Sequence, residues 1–178
     1  TKAAKRLRTT AGAANVVRQH MGNLQHHKSI AEAGPGLYRV VYGSTNFTWR
    51  GFFVQSNNAI VVHGKKPVDA YFKAFDTYFA AENGNAFRGS DAAAGWHDLG
   101  VSGLDAKVGF SPHEKAGGLL AAVGKDIDKA KSSVLFSLAF LGQTTKGPIG
   151  PALGLKIKSK TVHALGIADA RVKSGNLG

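Results

Sequence analysis

A histidine and a lysine separated by a single residue, His26 and Lys28, are the pair of side chains best suited to chemistry in this chain. In an extended segment, alternate side chains point to the same face, so the imidazole would lie beside the ammonium group. An imidazole nitrogen placed in this way can attack the phosphorus of a phosphodiester, while the lysine neutralises charge on the non-bridging oxygens. The pair therefore predicts phosphodiester chemistry.

Small polar residues follow the pair after one short strand-like run. Ser44 and Asn46 alternate within "GSTN", which predicts two neutral donors directed at the same phosphate. This arrangement needs no metal ion or other cofactor, and no cluster of carboxylates stands nearby in the sequence to hold one. The neighbouring His27 has no lysine two residues later, which excludes it as the nucleophile in this pattern.

The order of these motifs resembles that of the phospholipase D superfamily. The resemblance rests on His26-x-Lys28, then "GSTNFT", then "QSNNAIVV"; it is clear over residues 25–81 and fainter over residues 110–141. It implies a metal-independent reaction in which one histidine forms a phosphohistidine, a second protonates the leaving group, and water or an alcohol resolves the intermediate. By position it implies that His26 is the nucleophile or its general-acid counterpart. It further implies that Lys28, Ser44 and Asn46 bind phosphate and that Gly43 lets the backbone approach closely.

Two features depart from the pattern of that superfamily. The acidic residue expected seven positions after the histidine is Ala33, and Glu32 stands one position earlier. A second motif is also missing, since the string His113-Glu114-Lys115 has no Gly-Ser-x-Asn after it and is interpreted as accidental. The second His-x-Lys half is therefore expected from segments outside this chain or from a twofold-related copy.

The resemblance also predicts the fold and its division. It implies an α/β fold, a phospholipase D-like α-β-α sandwich with a mixed, largely parallel sheet. Residues 1–82 would be the C-terminal part of a first half, residues 83–109 a connection, and residues 110–178 the start of a second half.

Periodicity predicts the individual elements. An aromatic stripe at helical spacing, from Val68 to Phe79, predicts a helix that begins near Pro67, stops at Gly84 and packs its aromatic residues into the core. Because a strand, a helix and a strand follow one another near the C-terminus, the order predicts parallel pairing there. The predicted strands are 37–42, 51–62, 133–141 and 161–168, and the other predicted helices are 117–133 and part of 144–160.

The charge balance predicts a polyanionic partner. The chain has 23 Lys and Arg against 11 Asp and Glu, a formal net charge of +12, and residues 1–28 contain no acidic residue. Phosphate contacts from Lys and Arg dominate nucleic-acid affinity, so a nucleic-acid backbone is slightly favoured as the substrate. An anionic phospholipid is the alternative, and "NFTWRGFF" would supply the apolar rim that a lipid requires. A catalytically inactive binding module of the same fold is a third interpretation.

Two further residues are candidates for lining a substrate groove, Trp49 and Asn58. For Trp49 and its neighbour Phe47, packing in the core is the competing interpretation. The chain has no cysteine, which excludes disulfides and thiolate metal sites. No run of 18 apolar residues occurs, so a transmembrane segment is not expected. Composition leaves the cellular compartment open.

Overall fold

A computed structural model describes residues 1–18, 22, 25–114 and 118–168. The chain divides into two compact units, Thr1–Glu114 and Lys115–Gly178. Both units combine helices with short strands, so the protein is a mixed α/β protein with small sheets.

The first unit contains a three-stranded antiparallel sheet in the order β1-β2-β3. Strands β1 (Ser29–Gly34) and β2 (Leu37–Gly43) form a hairpin, and β3 (Ala59–His63) pairs with the other edge of β2. The hairpin turns through Pro35 and Gly36, and Gly36 has a φ of 71°, which glycine adopts without steric cost. The strand predicted over residues 37–42 is therefore confirmed.

Helix α3 (Lys65–Ala80) covers one face of this sheet. Its first turn holds Pro67, which is tolerated there because the first N–H groups of a helix have no partner within it. Val68, Tyr71 and Ala74 are buried at spacings of three, matching one helical face, and pack with Val40 of β2. The predicted helix is thus confirmed, with Val68 and Tyr71 in the core and Phe75 exposed. Its predicted end at Gly84 is wrong, because the helix ends at Ala80 and Gly84 begins the next helix.

Residues 83–109, predicted to be a connection, contain further structure. Helix α4 (Gly84–Arg88) is capped by the Asn83 side chain, and β4 (His97–Asp98) pairs with β5 (Lys107–Val108). Phe87 is fully buried and stacks on Tyr78 of α3, with 3.7 Å between the ring centroids. This segment therefore contributes to the core of the first unit.

The strand predicted over residues 51–62 is wrong in its first part. Residues Trp49–Phe53 form a short helix, α2, and only Ala59–His63 form a strand. The helix begins at Thr48, whose hydroxyl oxygen accepts a hydrogen bond from the Gly51 N–H at 3.1 Å. This local cap outweighs the β propensity of the aromatic residues.

The second unit is a strand, helix and strand preceded by a helix. Its elements are α5 (Gly118–Lys129), β6 (Ser133–Leu138), a 3₁₀ turn (Leu141–Lys146), α6 (Ile149–Ile157) and β7 (His163–Ala168). Strands β6 and β7 pair in parallel, from Ser133 opposite His163 to Leu138 opposite Ala168. The predicted parallel pair is confirmed here.

The sheet is not largely parallel over the described residues. The pairs in the first unit are antiparallel. For β1 and β2 the two-residue turn requires this, because parallel strands cannot be joined by so short a connection. Within the same ranges, no helix has the length and apolar content needed to cross a bilayer.

Candidate functional site

The two sequence motifs meet at one end of the three-stranded sheet, which we call the motif end. Strand β1 begins at Ser29 opposite Tyr42, and β2 ends at Gly43 opposite Ala59 of β3. In antiparallel strands, the residues before β1, after β2 and before β3 must lie at the same end. The His-x-Lys segment, the Gly-Ser-x-Asn segment and the Asn57-Asn58 pair therefore converge there.

Ser44 and the Asn57-Asn58 pair are joined directly by hydrogen bonds. The Ser44 hydroxyl donates to Asn57 Oδ1 at 3.2 Å and accepts from the Asn58 N–H at 3.0 Å. The Asn57 amide nitrogen donates in turn to the Gly51 carbonyl of α2 at 3.0 Å. Asn57 thus links the serine of the motif to helix α2.

The Asn58 carbonyl gathers three donors from the end of β2. It accepts from the Ser44 N–H at 3.0 Å, the Thr45 N–H at 3.3 Å and the Thr45 hydroxyl at 2.8 Å. Thr45 is the one buried polar side chain among the described residues. The turn after β2 is therefore held by backbone and side-chain contacts together.

Gly43 lies against protein backbone. A Cβ built at this position would overlap the Asn58 carbonyl oxygen and would stand 2.8 Å from the Ala59 Cα. Only a residue without a side chain permits this close approach. The space beside Gly43 is thus filled by the start of β3, whereas the sequence motif implied a close approach to phosphate.

Asn46 takes part in the packing of the motif turn through its backbone carbonyl. Its carbonyl accepts a hydrogen bond from the Thr48 N–H at 2.7 Å, and it lies so close to Gly51 that a Cβ there would overlap it. The Asn46 side chain is exposed. Gly51, at the centre of α2, therefore allows the short helix to pack on the motif turn.

His26 and Lys28 lie in the irregular segment just before β1. The His26 side chain is exposed, and the Lys28 ammonium group donates to the His26 carbonyl at 2.6 Å. Among the described residues, no hydrogen bond joins the side chain of either residue to Ser44 or Asn46. The structure thus brings Gly43, Ser44 and Asn58 into direct contact, with the His-x-Lys pair at the same end of the sheet but not bonded to them.

His27 is exposed, yet its ring packs against two aromatic side chains of the first unit. Its ring meets Tyr78 edge-on with 5.2 Å between centroids and lies 6.4 Å from the ring of Phe110. Loss of hydration in this contact, together with the nearby charge of Lys28, lowers the pKa of His27, although a hydrogen bond with the Ser111 backbone opposes that change. Burial also raises the pKa of Tyr78 to about 12, and its hydroxyl donates to the Ser111 carbonyl.

Glu32 is engaged by a neighbouring strand. It lies directly opposite Arg39, whose Nε donates to the Glu32 carboxylate at 2.8 Å. Ala33 points to the same side of the sheet as Ala31, which is partly buried and packs against the core. Neither residue supplies a free carboxylate at the motif end.

Helix α2 and the preceding Phe47 present an exposed cluster of aromatic side chains beside the motif end, which we call the aromatic rim: Phe47, Trp49, Phe52 and Phe53. Trp49 is 70% exposed and Phe53 is 75% exposed. Their rings contact one another, with centroids 6.0 Å apart for Trp49 and Phe53 and 6.1 Å apart for Phe47 and Phe52. Core packing for Phe47 and Trp49, the competing interpretation of the sequence, is therefore wrong.

Comparison with known proteins adds no family assignment, because no protein-family model, curated protein or solved structure matches the chain. Over the residues that the structure describes, no three His, Asp or Glu side chains come together as a metal site would require. Lys115 of the second His-x-Lys string lies outside those residues. The residue that sequence reasoning missed is Asn57, for which the polar interruption "QSNN" was the available signal.

Proposed function

We propose that the protein is a phospholipase D-like phosphodiesterase that acts without a metal ion, with nucleic acid as the favoured substrate. The observation that carries the proposal is the register of the first sheet. Ser29 opposite Tyr42 and Gly43 opposite Ala59 bring the His-x-Lys and Gly-Ser-x-Asn motifs to one end. The hairpin between β1 and β2 is what brings Lys28 and Gly43, 15 positions apart in sequence, to the same end of the sheet.

In the proposed reaction, a nitrogen of the His26 imidazole attacks phosphorus and a P–N bond forms as the P–O ester bond breaks. A second histidine gives its proton to the leaving oxygen, and water then cleaves the P–N bond and regenerates the imidazole. Lys28 balances charge on the non-bridging oxygens. His26 is exposed, as a nucleophile that must reach a polymeric substrate has to be.

The second histidine comes, in this proposal, from a twofold-related copy or from a segment of a longer chain. A twofold axis near the motif end would place two His26 side chains on opposite sides of one phosphate. The α-β-α sandwich of the superfamily is part of the same proposal, and the parallel pair of β6 and β7 supports it.

Phospholipid is the second candidate substrate, and the aromatic rim favours it. Exposed aromatic side chains beside a phosphate site are what a lipid headgroup enzyme needs at the membrane–water boundary. Trp49 and Phe53 occupy that place, next to the turn that holds Ser44.

One experiment tests the proposal and separates the substrates. The protein is incubated with plasmid DNA and, separately, with phosphatidylcholine liposomes, in EDTA, and product formation is followed for wild type, His26→Ala and His63→Ala. His63 is an exposed histidine on β3 and serves as the matched control. Cleavage that survives EDTA and His63→Ala but is lost in His26→Ala is the expected result.

Equal activity in wild type and His26→Ala would remove His26 from the site. No cleavage of either substrate would instead favour the third interpretation, a binding module that retains the fold without the reaction.

A further inference from the structure

Helix α1 (Lys2–Ala11) is an exposed cationic surface. None of its ten residues is buried, and its side chains include Lys2, Lys5, Arg6 and Arg8. Surface helices of globular proteins normally pack an apolar face against a core. Packing against a core therefore does not explain the cationic sequence of α1.

A fifth cation joins α1 because the chain reverses direction after it. Gly12 ends the helix with a φ of 87°, and the Asn15 amide donates to the Ala11 carbonyl at 2.8 Å. Arg8 Nε then donates to the Val16 carbonyl at 3.3 Å and holds the returning segment beside the helix. As a result, Arg18 lines a cavity of about 370 Å³ together with Lys5 and Arg8. The other residues that line this cavity are Thr1, Ala4 and Thr9.

These cations are not neutralised within the protein. Residues 1–18 contain no Asp or Glu. In the described part of the chain, every ion pair lies elsewhere, from Arg39–Glu32 to Lys129–Asp126. The positive charge of the cavity is therefore available to a ligand.

The neighbouring hydroxyl groups narrow the chemistry of that ligand. Thr9 and Thr10 donate their hydroxyl hydrogens to the carbonyls of Lys5 and Arg6, at 3.0 and 3.1 Å. The Thr1 hydroxyl accepts from the Ala4 N–H at 3.4 Å and keeps its hydrogen, so the surface offers N–H donors from cations and one hydroxyl donor. This suits a ligand with acceptor oxygens alone, which is the character of a phosphodiester.

The cationic surface extends along the helix. A second cleft, of about 410 Å³, is lined by Lys2, Lys5, Arg6, Thr9 and Thr10, so it shares Lys5 with the first. At 1.5 Å per residue, the six steps from Lys2 to Arg8 span roughly 9 Å of helix axis. Phosphates rise by about 3.4 Å each along one strand of duplex DNA, so the helix faces two or three of them.

A lipid surface fits α1 less well than a nucleic acid does. An interfacial helix buries a broad face of large apolar side chains. Leu7 is the one large apolar residue of α1, and the remaining apolar positions are alanines. We propose that α1 and Arg18 form a docking surface for the nucleic-acid backbone that does not depend on base sequence and is separate from the motif end.

The test measures binding in a His26→Ala background, so that cleavage plays no part. A fluorescein-labelled 30-base-pair DNA duplex is titrated at several salt concentrations with the full chain and with Lys5→Gln/Arg8→Gln/Arg18→Gln. Each phosphate contact contributes about 0.9 to the slope of log Kobs against log salt. The triple variant is therefore expected to reduce the slope by about 2–3 and to weaken binding equally for duplexes of different sequence.

A matched variant removes the same charge elsewhere: Lys125→Gln/Lys131→Gln/Lys160→Gln, three exposed lysines of the second unit. It is expected to leave the slope nearly unchanged. If both triple variants reduced the salt slope equally, net charge alone would determine binding and the proposal would be overturned. Binding of the protein to phosphatidylserine vesicles but not to the duplex would also overturn it. Loss of binding in the α1 variant says nothing about catalysis, which the His26 comparison decides separately.

Discussion

Replacing Gly43 by alanine is expected to destabilise the first unit strongly. The new Cβ would overlap the Asn58 carbonyl oxygen and stand 2.8 Å from the Ala59 Cα, and both are backbone atoms that cannot rotate away. Forcing extra volume into a close-packed site costs about 1–3 kcal/mol. If β3 shifts instead, the bonds from Ser44 and Thr45 to the Asn58 carbonyl weaken, at about 0.5–1.5 kcal/mol each. The first response therefore costs about 1–3 kcal/mol, and the second, over three hydrogen bonds, about 1.5–4.5 kcal/mol.

Two other glycines of the hairpin calibrate this value. Gly34 has no atom within 4 Å of a built Cβ, so Gly34→Ala is expected to stay within about 0.5 kcal/mol of wild type. Gly36 is equally open but has a φ of 71°, so Gly36→Ala should cost about 1–2 kcal/mol through backbone conformation alone. The three variants therefore separate open space, backbone strain and steric overlap.

Urea unfolding followed by tryptophan fluorescence measures the series. Both tryptophans, Trp49 and Trp96, belong to the first unit, so the signal reports on that unit. With a slope of about 2 kcal/mol per molar, a loss of 3 kcal/mol moves the midpoint by about 1.5 M. If Gly43→Ala were as stable as Gly34→Ala while losing phosphodiesterase activity, Gly43 would face the substrate, and the steric reasoning would be refuted.

Two further predictions concern His27 and the aromatic rim. The pKa of His27 is lower in the folded protein than in the unfolded chain, so the unfolded chain binds a proton first as the pH falls. The free energy of unfolding should therefore decrease below the ordinary pKa of 6.5. In urea unfolding between pH 7 and 5, His27→Phe should weaken this decrease, whereas His63→Phe should not. Trp49→Ser/Phe53→Ser should change the unfolding free energy by less than about 1 kcal/mol, because both side chains are exposed. If lipid is the substrate, the same double variant should reduce liposome hydrolysis more than plasmid cleavage. Unchanged hydrolysis of both substrates would exclude the rim from substrate contact.

Periodicity predicted the elements whose own sequences determine them. Helix α3 repeats its buried residues at helical spacing, and β2 is rich in β-branched and aromatic residues, so both were predictable. Helix α2 was not, because five residues carry too little periodicity and the deciding contact is the Thr48 cap. Strand β1 has the sequence "SIAEAG", with weak β propensity, and forms by pairing with β2.

Some residues of the candidate site could be predicted from the sequence, but their contacts could not. Motif spacing pointed to Ser44, and the hairpin places that residue at the same end as the His-x-Lys segment. The contacts of Ser44 with Asn57 and Asn58 join residues 13 and 14 positions apart, and they depend on the register of β2 and β3. No local pattern encodes that register, which explains why Asn57 was missed and why Gly43 was assigned to phosphate rather than to β3.

The three hydrogen bonds to the Asn58 carbonyl make the segment with the aromatic rim tolerant of substitution. Three donors from Ser44 and Thr45 close residues 46–57 at their base, so the ends of the segment stay together whatever its tip contains. Lengthening a closed loop costs little, about 0.6 kcal/mol for each doubling, and exposed tips tolerate substitution. Evolution or design can therefore exchange Trp49 and Phe53 for other side chains, and change what this surface contacts, while Ser44 and the strands beneath it remain in place.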